Sequence, residues 1–292
     1  MDKSTLVTMI KKRFSSPQTV IFPEGNNIEI QTAARQLRDD DLAKPVLIGN
    51  NIPSDLPQIA THTNKQDYAD ALQLRKPKYT QQQALQMLDN PINYAAAHLS
   101  AGYANAMVAG IDHPTSDVIR AGLTFIGTKA GFKTASSLFM MQFSDRPALF
   151  FADCAFNAFP NAQMLCDIAI ASADSACALT RMQSKIAMLA FSSHGSASHE
   201  SLEKIIAATT LVKQQRSDLV IDGEVQADAA LVPQLAVKKL GEDNLLQGQA
   251  NVLIFPDLNS GNIAYKLVQY LANAKAVGPM LQGFAHPICD LS

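Results

Sequence analysis

The sequence predicts an α/β protein. Short apolar runs alternate with longer stretches in which apolar residues return every three or four positions, and Pro-, Gly- and Asn-containing turns separate the two. That alternation is expected of a parallel sheet covered by helices. The 292 residues suit two domains of about 150 residues each. Apolar residues at 47% and charged residues at 17% supply core material and argue against disorder.

Taken in order, strands are expected at residues 19–22, 45–48, 106–109, 137–141, 148–152, 186–191, 219–222 and 252–255, each a short apolar run ending in a polar turn. Helices are expected at 28–38, 80–88, 162–179, 200–214 and 263–272, where the period is near 3.6. FPEG after the first strand, FPDLNSGN after the last, and VGPMLQG at 277–283 read as punctuation. The seam between domains is placed at 127–133, a lysine- and glycine-containing stretch between an apolar helix and the next strand.

The formal net charge of −2 gives no basic footprint for nucleic acid, and Lys11, Lys12 and Arg13 read as a solvated helix face. Cys154, Cys166, Cys177 and Cys289 form neither a CxxC pair nor a zinc spacing, so they read as buried free thiols and no metal site is expected. The N-terminus lacks a leader pattern, and no apolar run reaches the roughly 18 residues of a membrane span. A cytoplasmic location is the expectation.

Four segments carry polar chemistry, three of them after a strand and one just before the helix expected at 80–88. In HPTSDVIRAG, residues 113–122, Thr115 or Ser116 is expected to cap a helix. The segment is either an ordinary cap with a surface arginine or an oxyanion site completed by Arg120. In LRKPKYT, Arg75, Lys76 and Lys78 surround Pro77, as a solvated turn or as an anchor for a polyphosphate. FSSHGSASHE, residues 191–200, offers Ser193, Gly195 and Ser196 either as a capped helix start or as a phosphate cradle. DLNSGNIAYK, residues 257–266, supplies Asn259, Asn262 and Lys266, with asparagine serving either as a cap or as a ligand. His113, His194 and His199 have no acidic or nucleophilic partner at a diagnostic spacing and read as loop histidines. Walker, GxGxxG, GxSxG, HExxH and EF-hand patterns are all missing.

Read together, these segments resemble the phosphate acetyl/butyryl transferase family over nearly the whole chain. The likeness rests on FPEG at 22–25, LRK at 74–76, GYANAMVAGIDHPTSDVIRAGL at 102–123 and ADCAFN at 152–157. It continues in HGSASH at 194–199, DGEVQADAALVP at 222–233, ANVLIFPDLNSGNIAYKLVQ at 250–269 and GPMLQGFAHPICDLS at 278–292.

The resemblance implies two α/β/α domains flanking a cleft, similar to isocitrate and isopropylmalate dehydrogenases. The first would be residues 1–131 with 279–292 and the second 132–278. It implies reversible transfer of an acetyl group between coenzyme A and phosphate, with acetyl-CoA, phosphate and acetyl phosphate as partners, and a homodimer. Coenzyme A is then a substrate, and no cofactor or metal is needed. By positional match Arg75 and Arg120 would hold phosphate or CoA, and Ser292 would stabilise charge at the reacting carbonyl.

Departures are also visible. Pro114 stands where the family usually has serine, and Asn26 and Asn27 replace more charged residues after PEG. The resemblance implies a transition-state arginine in an Arg-Gly pair and, a few residues later, an aspartate as base for the thiol after DLS; neither is among the 292 residues, so weak or absent turnover is expected of them. Butyryl or propanoyl transfer and a non-catalytic acyl-CoA-sensing role are the alternatives. A dehydrogenase of the related fold is weaker, since no metal-binding carboxylate cluster is evident.

Overall fold

Gln-Thr-Val-Ile-Phe, rich in β-branched and aromatic side chains, forms the first strand, β1 (Gln18–Phe22), in a computed structural model that describes residues 16–291. The chain divides into two units, Met1–Ala130 with Phe284–Ser292, and Gly131–Gly283. Lys11, Lys12, Arg13 and Ser292 lie outside the described residues.

In the first unit β1 is followed by α1 (Ile28–Asp39), β2 (Ala43–Ile48), the two-residue β3 (Gln58–Ile59), α2 (Lys65–Arg75), α3 (Gln81–Met87), α4 (Pro91–Ser100), β4 (Ala106–Ala109) and α5 (Thr115–Ala121). Side chains at the N-caps fix several starts. Asn27 accepts from the Glu29 N–H, Thr80 forms a capping box with Gln83, and Asn90 caps α4 ahead of Pro91. α1 packs on β2 and buries Ile30 and Ala34 with Phe22 and Leu47, while α4 packs on β1 and β4.

The second unit comprises β5 (Ser136–Gln142), β6 (Leu149–Ala152), α6 (Ala162–Thr180), β7 (Lys185–Leu189), α7 (Glu200–Gln215), β8 (Val220–Val225), α8 (Ala227–Leu231), α9 (Pro233–Leu240), β9 (Val252–Ile254), α10 (Leu258–Leu271) and β10 (Lys275–Gln282). The strands lie in the order β10-β5-β6-β9-β7-β8. The pairs β6–β9, β9–β7 and β7–β8 are parallel, and β5 runs antiparallel to both β6 and β10.

Period-2 alternation sends neighbouring side chains of this sheet to opposite faces. Leu138, Phe150, Met188, Val252 and Ile254 pack with Leu165, Ile168 and Ala169 of α6 and Ile205 and Ala208 of α7. Phe139, Phe151, Leu189 and Leu253 pack with Ala229 and Ala230 of α8 and Tyr265 of α10. Both faces are therefore covered, as a parallel sheet requires.

The chain then returns to the first unit as β11 (Ile288–Asp290), parallel to β4, which completes the order β3-β2-β1-β4-β11. β1–β2, β1–β4 and β2–β3 are also parallel. The α/β class expected from the sequence is the class observed.

Several expectations are corrected. VGPMLQG is not a loop but most of β10, where a register shift between Val277 and Met280 accommodates Pro279, which has no N–H for the ladder. α10 begins five residues before the expected start at 263, because Asp257 caps it by accepting from the Ser260 N–H. Cys154 and Cys166 are buried, but Cys177 is exposed and Cys289 only partly buried. α6 is long and apolar enough to pass for a membrane span by composition; ten of its residues are buried in the second unit, which makes it a core helix.

Candidate functional site

In the first unit the turn after β4 is held from two sides by carboxylates. Glu24, just past β1, is 6% exposed. It accepts from the backbone N–H of Gly110 (2.7 Å), Ile111 (3.1 Å) and Asp112 (2.9 Å), and pairs with Nδ1 of His113 at 2.8 Å. Burial alone would raise this carboxyl, but His113 and the three N–H groups outweigh it and hold Glu24 below the ordinary glutamate value.

From the other side comes Asp290 at the end of β11. It is 1% exposed, and its Oδ2 accepts from the Thr115 hydroxyl at 2.6 Å. Its Oδ1 is buried with no hydrogen-bond partner and lies against Gly110, where an added Cβ would come within 2.1 Å of it. Gly110 also sits at φ +107°, in the region that favours glycine.

This geometry places the expected residues of the first unit. Thr115 does not cap α5, and neither does Ser116: the N-cap position is Pro114, which has no side-chain donor or acceptor, and the Thr115 hydroxyl is committed to Asp290. Ser116 is exposed. Arg120 projects to solvent with its side chain 71% exposed, paired with Asp117 at 2.9 Å. Arg75 ends α2 and is exposed as a residue, but its guanidinium turns back to donate to the carbonyls of Thr124 and Ile126 (3.2 Å each) and of Phe125. Burial pushes Arg75 below the usual guanidinium value. Lys76 reaches the Leu123 carbonyl at 2.7 Å. LRK thus ties α2 to the residues that follow α5.

The second unit repeats the device. Glu224, buried on β8, accepts from the Gly195 N–H (2.7 Å) and the Ser192 hydroxyl (3.0 Å). Burial pushes this carboxyl up, but those donors prevail and hold it low. The Ser193 N–H goes to the Ser196 hydroxyl at 3.0 Å, and the Ser193 hydroxyl accepts from the Gln226 N–H at 2.9 Å. The loop at 192–197 therefore has its donors engaged by its own chain, and His199 caps α7. His194 has an acidic partner after all, Asp222, with Nε2 at 3.1 Å from both oxygens.

Beyond β6, Asp153 accepts from the N–H groups of Ser137, Ala155, Phe156 and Asn157. α10 lies close above: Asn262 donates to the Cys154 carbonyl at 3.0 Å, and a Cβ on Gly261 would meet the Asp153 carbonyl oxygen at 2.4 Å. Asn259 is exposed on the first turn, and Lys266 lies over the Tyr265 ring at 5.0 Å. Among the described residues no cluster of three or more His, Cys, Asp or Glu side chains could hold a metal ion.

Buried carboxylates that order strand-to-helix turns are thus common to both units. A family model, Phosphate acetyl/butaryl transferase, matches residues 4–292. The chain belongs to that family.

A phosphate acetyltransferase from Thermoanaerobacterium thermosaccharolyticum is 38% identical to this family member, with 99% of this chain and 94% of the relative aligned. A phosphotransacetylase from Streptococcus pyogenes superposes with a TM-score of 0.93 at 34% identity, over 100% of this chain and 93% of the other. A Salmonella typhimurium protein described as a candidate 4-hydroxythreonine-4-phosphate dehydrogenase shares the fold alone, with a TM-score of 0.52 at 12% identity over 95% and 91% of the two chains.

In this phosphate acyltransferase, sequence reasoning passed over Glu24, Asp290, Glu224 and Asp153. Each is an acidic residue within or just after an apolar run, in the segments FPEG, ICDLS, DGEV and ADC. A carboxylate in such a run is costly unless bonded, which was the available signal.

Proposed function

We propose that this chain is a phosphate acetyltransferase, exchanging an acetyl group between coenzyme A and inorganic phosphate by direct attack of the CoA thiolate in a ternary complex. The observation that carries this reading is the family match across residues 4–292, joined by 38% identity to a phosphate acetyltransferase over 99% of the chain.

Acetyl-CoA, phosphate and acetyl phosphate are the partners in this reading. All are anions, so binding needs cations free to meet them. Arg120 supports this role, since its exposed pair with Asp117 is weak enough to be exchanged for a phosphoryl group. Arg75 already spends its donors on carbonyls, which suits a group that sets the position of the segment carrying the site. Ser292 is assigned to the developing oxyanion by its place in the DLS motif. Acyl transfer from an acyl phosphate to a thiol involves no net oxidation, so the reading calls on no redox cofactor.

A homodimer and a cytoplasmic site belong to the same proposal. Ile263, Leu267, Tyr270 and Leu271 form an exposed apolar stripe on α10, which supports burial against a second copy. Four free cysteines suit a reducing compartment.

The test is thioester formation from acetyl phosphate and CoA by the purified chain, with butyryl phosphate run in parallel. Acetyl-CoA formed in preference to butyryl-CoA is the expected result. A folded protein that makes butyryl-CoA from butyryl phosphate but no thioester from acetyl phosphate would overturn the reading.

A further inference from the structure

The second unit holds a cavity of about 640 Å³ at the edge of its sheet away from the polar loops described above. β6, β9 and β7 run parallel, so their amino ends share one edge. Residues that lead into or begin these strands, among them Leu149, Asn251 and Lys185, line the cavity. The loops that carry Asp153, Ser193 and Asn259 leave from the other edge of the same strands. β6 has four residues and β7 five, which at about 3.3 Å per residue puts roughly 13–17 Å between the two edges. The cavity is therefore no part of the candidate site.

Its wall is mostly apolar, with Pro147, Met182, Leu231 and Pro233 beside Leu149 and Ala250, and no Asp or Glu lines it. Both charges that do, Arg146 and Lys185, are positive. The Lys185 ammonium donates to Gln249 Oε1 at 2.9 Å, and Asn251 is taken up between the Lys185 N–H (2.8 Å) and the Gln183 carbonyl (2.9 Å). Arg146 is different. It is exposed, and its guanidinium lies over the Phe143 ring at 5.4 Å with no hydrogen-bond or ion-pair partner among the described residues. Its donors are open to a ligand.

Two further observations favour an organic occupant over water. Gly248 sits at φ +63°, and a Cβ there would come within 2.4 Å of the Pro233 nitrogen, so glycine is what lets this wall close against the start of α9. Met182 stands 49% exposed at the cavity, an apolar side chain that gains by being covered. Water needs several polar partners, whereas an apolar wall with a few placed polar groups suits an organic ligand.

We propose that this cavity binds an aliphatic carboxylate, with its chain on the apolar wall and its carboxylate on Arg146 and Lys185. A guanidinium meets a carboxylate in two parallel hydrogen bonds, which fixes the head group. An alkylamine of equal length meets two like charges, and inorganic phosphate has nothing to set against the apolar wall. None of these residues takes part in the acyl transfer proposed above, so binding here and turnover there are separable.

The experiment titrates butyrate, hexanoate and octanoate into the full chain by calorimetry, with octylamine and inorganic phosphate as controls. Methionine methyl NMR locates the bound chain through Met182, whose resonance is assigned with Met182→Leu. Octanoate is expected to bind once per chain with a Kd of about 1 mM or tighter and to move that resonance. Removing two methylenes should weaken binding about tenfold or more, since each buried methylene contributes about fourfold. Arg146→Glu should weaken octanoate about tenfold or more and strengthen octylamine, and Met182→Asp should weaken octanoate likewise. Both positions are exposed, so the far-ultraviolet spectra should match the parent. Added CoA should leave the octanoate affinity unchanged.

No saturable octanoate binding at about ten times the expected Kd would overturn the site. Equal affinity for butyrate and octanoate, unchanged affinity in Arg146→Glu, or displacement of octanoate by CoA would do the same. Conversion of a dimer to a monomer by Met182→Asp would show the cavity covered by a second copy of the chain, and would also overturn it. None of these outcomes bears on thioester formation from acetyl phosphate, which is measured separately.

Discussion

Gly110 and Glu24 show how tightly single residues hold the turn that begins the site. Gly110 combines φ +107° with contact against a buried carboxylate oxygen, so Gly110→Ala meets both backbone strain and a Cβ that would lie 2.1 Å from Asp290 Oδ1. A destabilisation of about 1–3 kcal/mol is expected from the strained backbone alone, read as a lower urea midpoint, with kcat falling as the turn shifts. Glu24 carries a pH signature. Its carboxyl is depressed in the folded state relative to its ordinary value of 4.5, so the stability it adds is present above that value and is lost as pH falls through the folded-state value. Glu24→Gln should therefore cost about 1–3 kcal/mol at neutral pH, by leaving buried N–H groups poorly paired. Its urea midpoint should converge on that of the parent as the pH is lowered below 4.5. A constant difference across that range would show that the glutamate charge contributes nothing to folding.

Elements add what pairs of residues cannot. α10 presents Ile263 at 57%, Leu267 at 52%, Tyr270 at 75% and Leu271 at 80% exposure, at spacings that put them on one side of the helix. If a second copy covers this stripe, Leu267→Asp should convert a dimer into a monomer in sedimentation velocity while the far-ultraviolet spectrum is kept. The opposite side of α10 is legible from Gly261, whose lack of a side chain lets the helix approach the Asp153 turn. At this scale the sequence was readable wherever one period dominated. The eight expected strands all fall on observed ones, and the runs at 162–179 and 200–214 match α6 and α7 within a few residues. β10 was hidden by Gly278 and Pro279 inside a strand, and β11 because its three residues, Ile288–Asp290, hold only two apolar side chains before a carboxylate. α2 was hidden because only Tyr68, Ala69 and Leu72 of its eleven residues are buried. The site was less legible for a related reason. Glu24 and His113 are 89 positions apart and Thr115 and Asp290 are 175 apart, so no local spacing could reveal either pair.

At the scale of the whole molecule the two units differ in how the chain builds them. Gly131–Gly283 is continuous, and one six-stranded sheet there has α6 and α7 on one face and α8 and α10 on the other. The other unit is closed only when β11 returns from the far end of the sequence to pair with β4 and bring Asp290 to Thr115 and Gly110. Without β11, β4 becomes an edge strand with unpaired backbone groups, and the turn after it keeps Glu24 but loses Asp290. Residues 131–283 expressed alone should therefore unfold in a single cooperative thermal transition by circular dichroism. Residues 1–130 alone should associate or fail to show one, and adding a peptide of residues 284–292 should restore order to them, since closing that sheet needs the strand rather than the intervening chain. A cooperative, monomeric 1–130 fragment would mean that β11 is dispensable to the fold, and would confine Asp290 to ordering the turn beside His113.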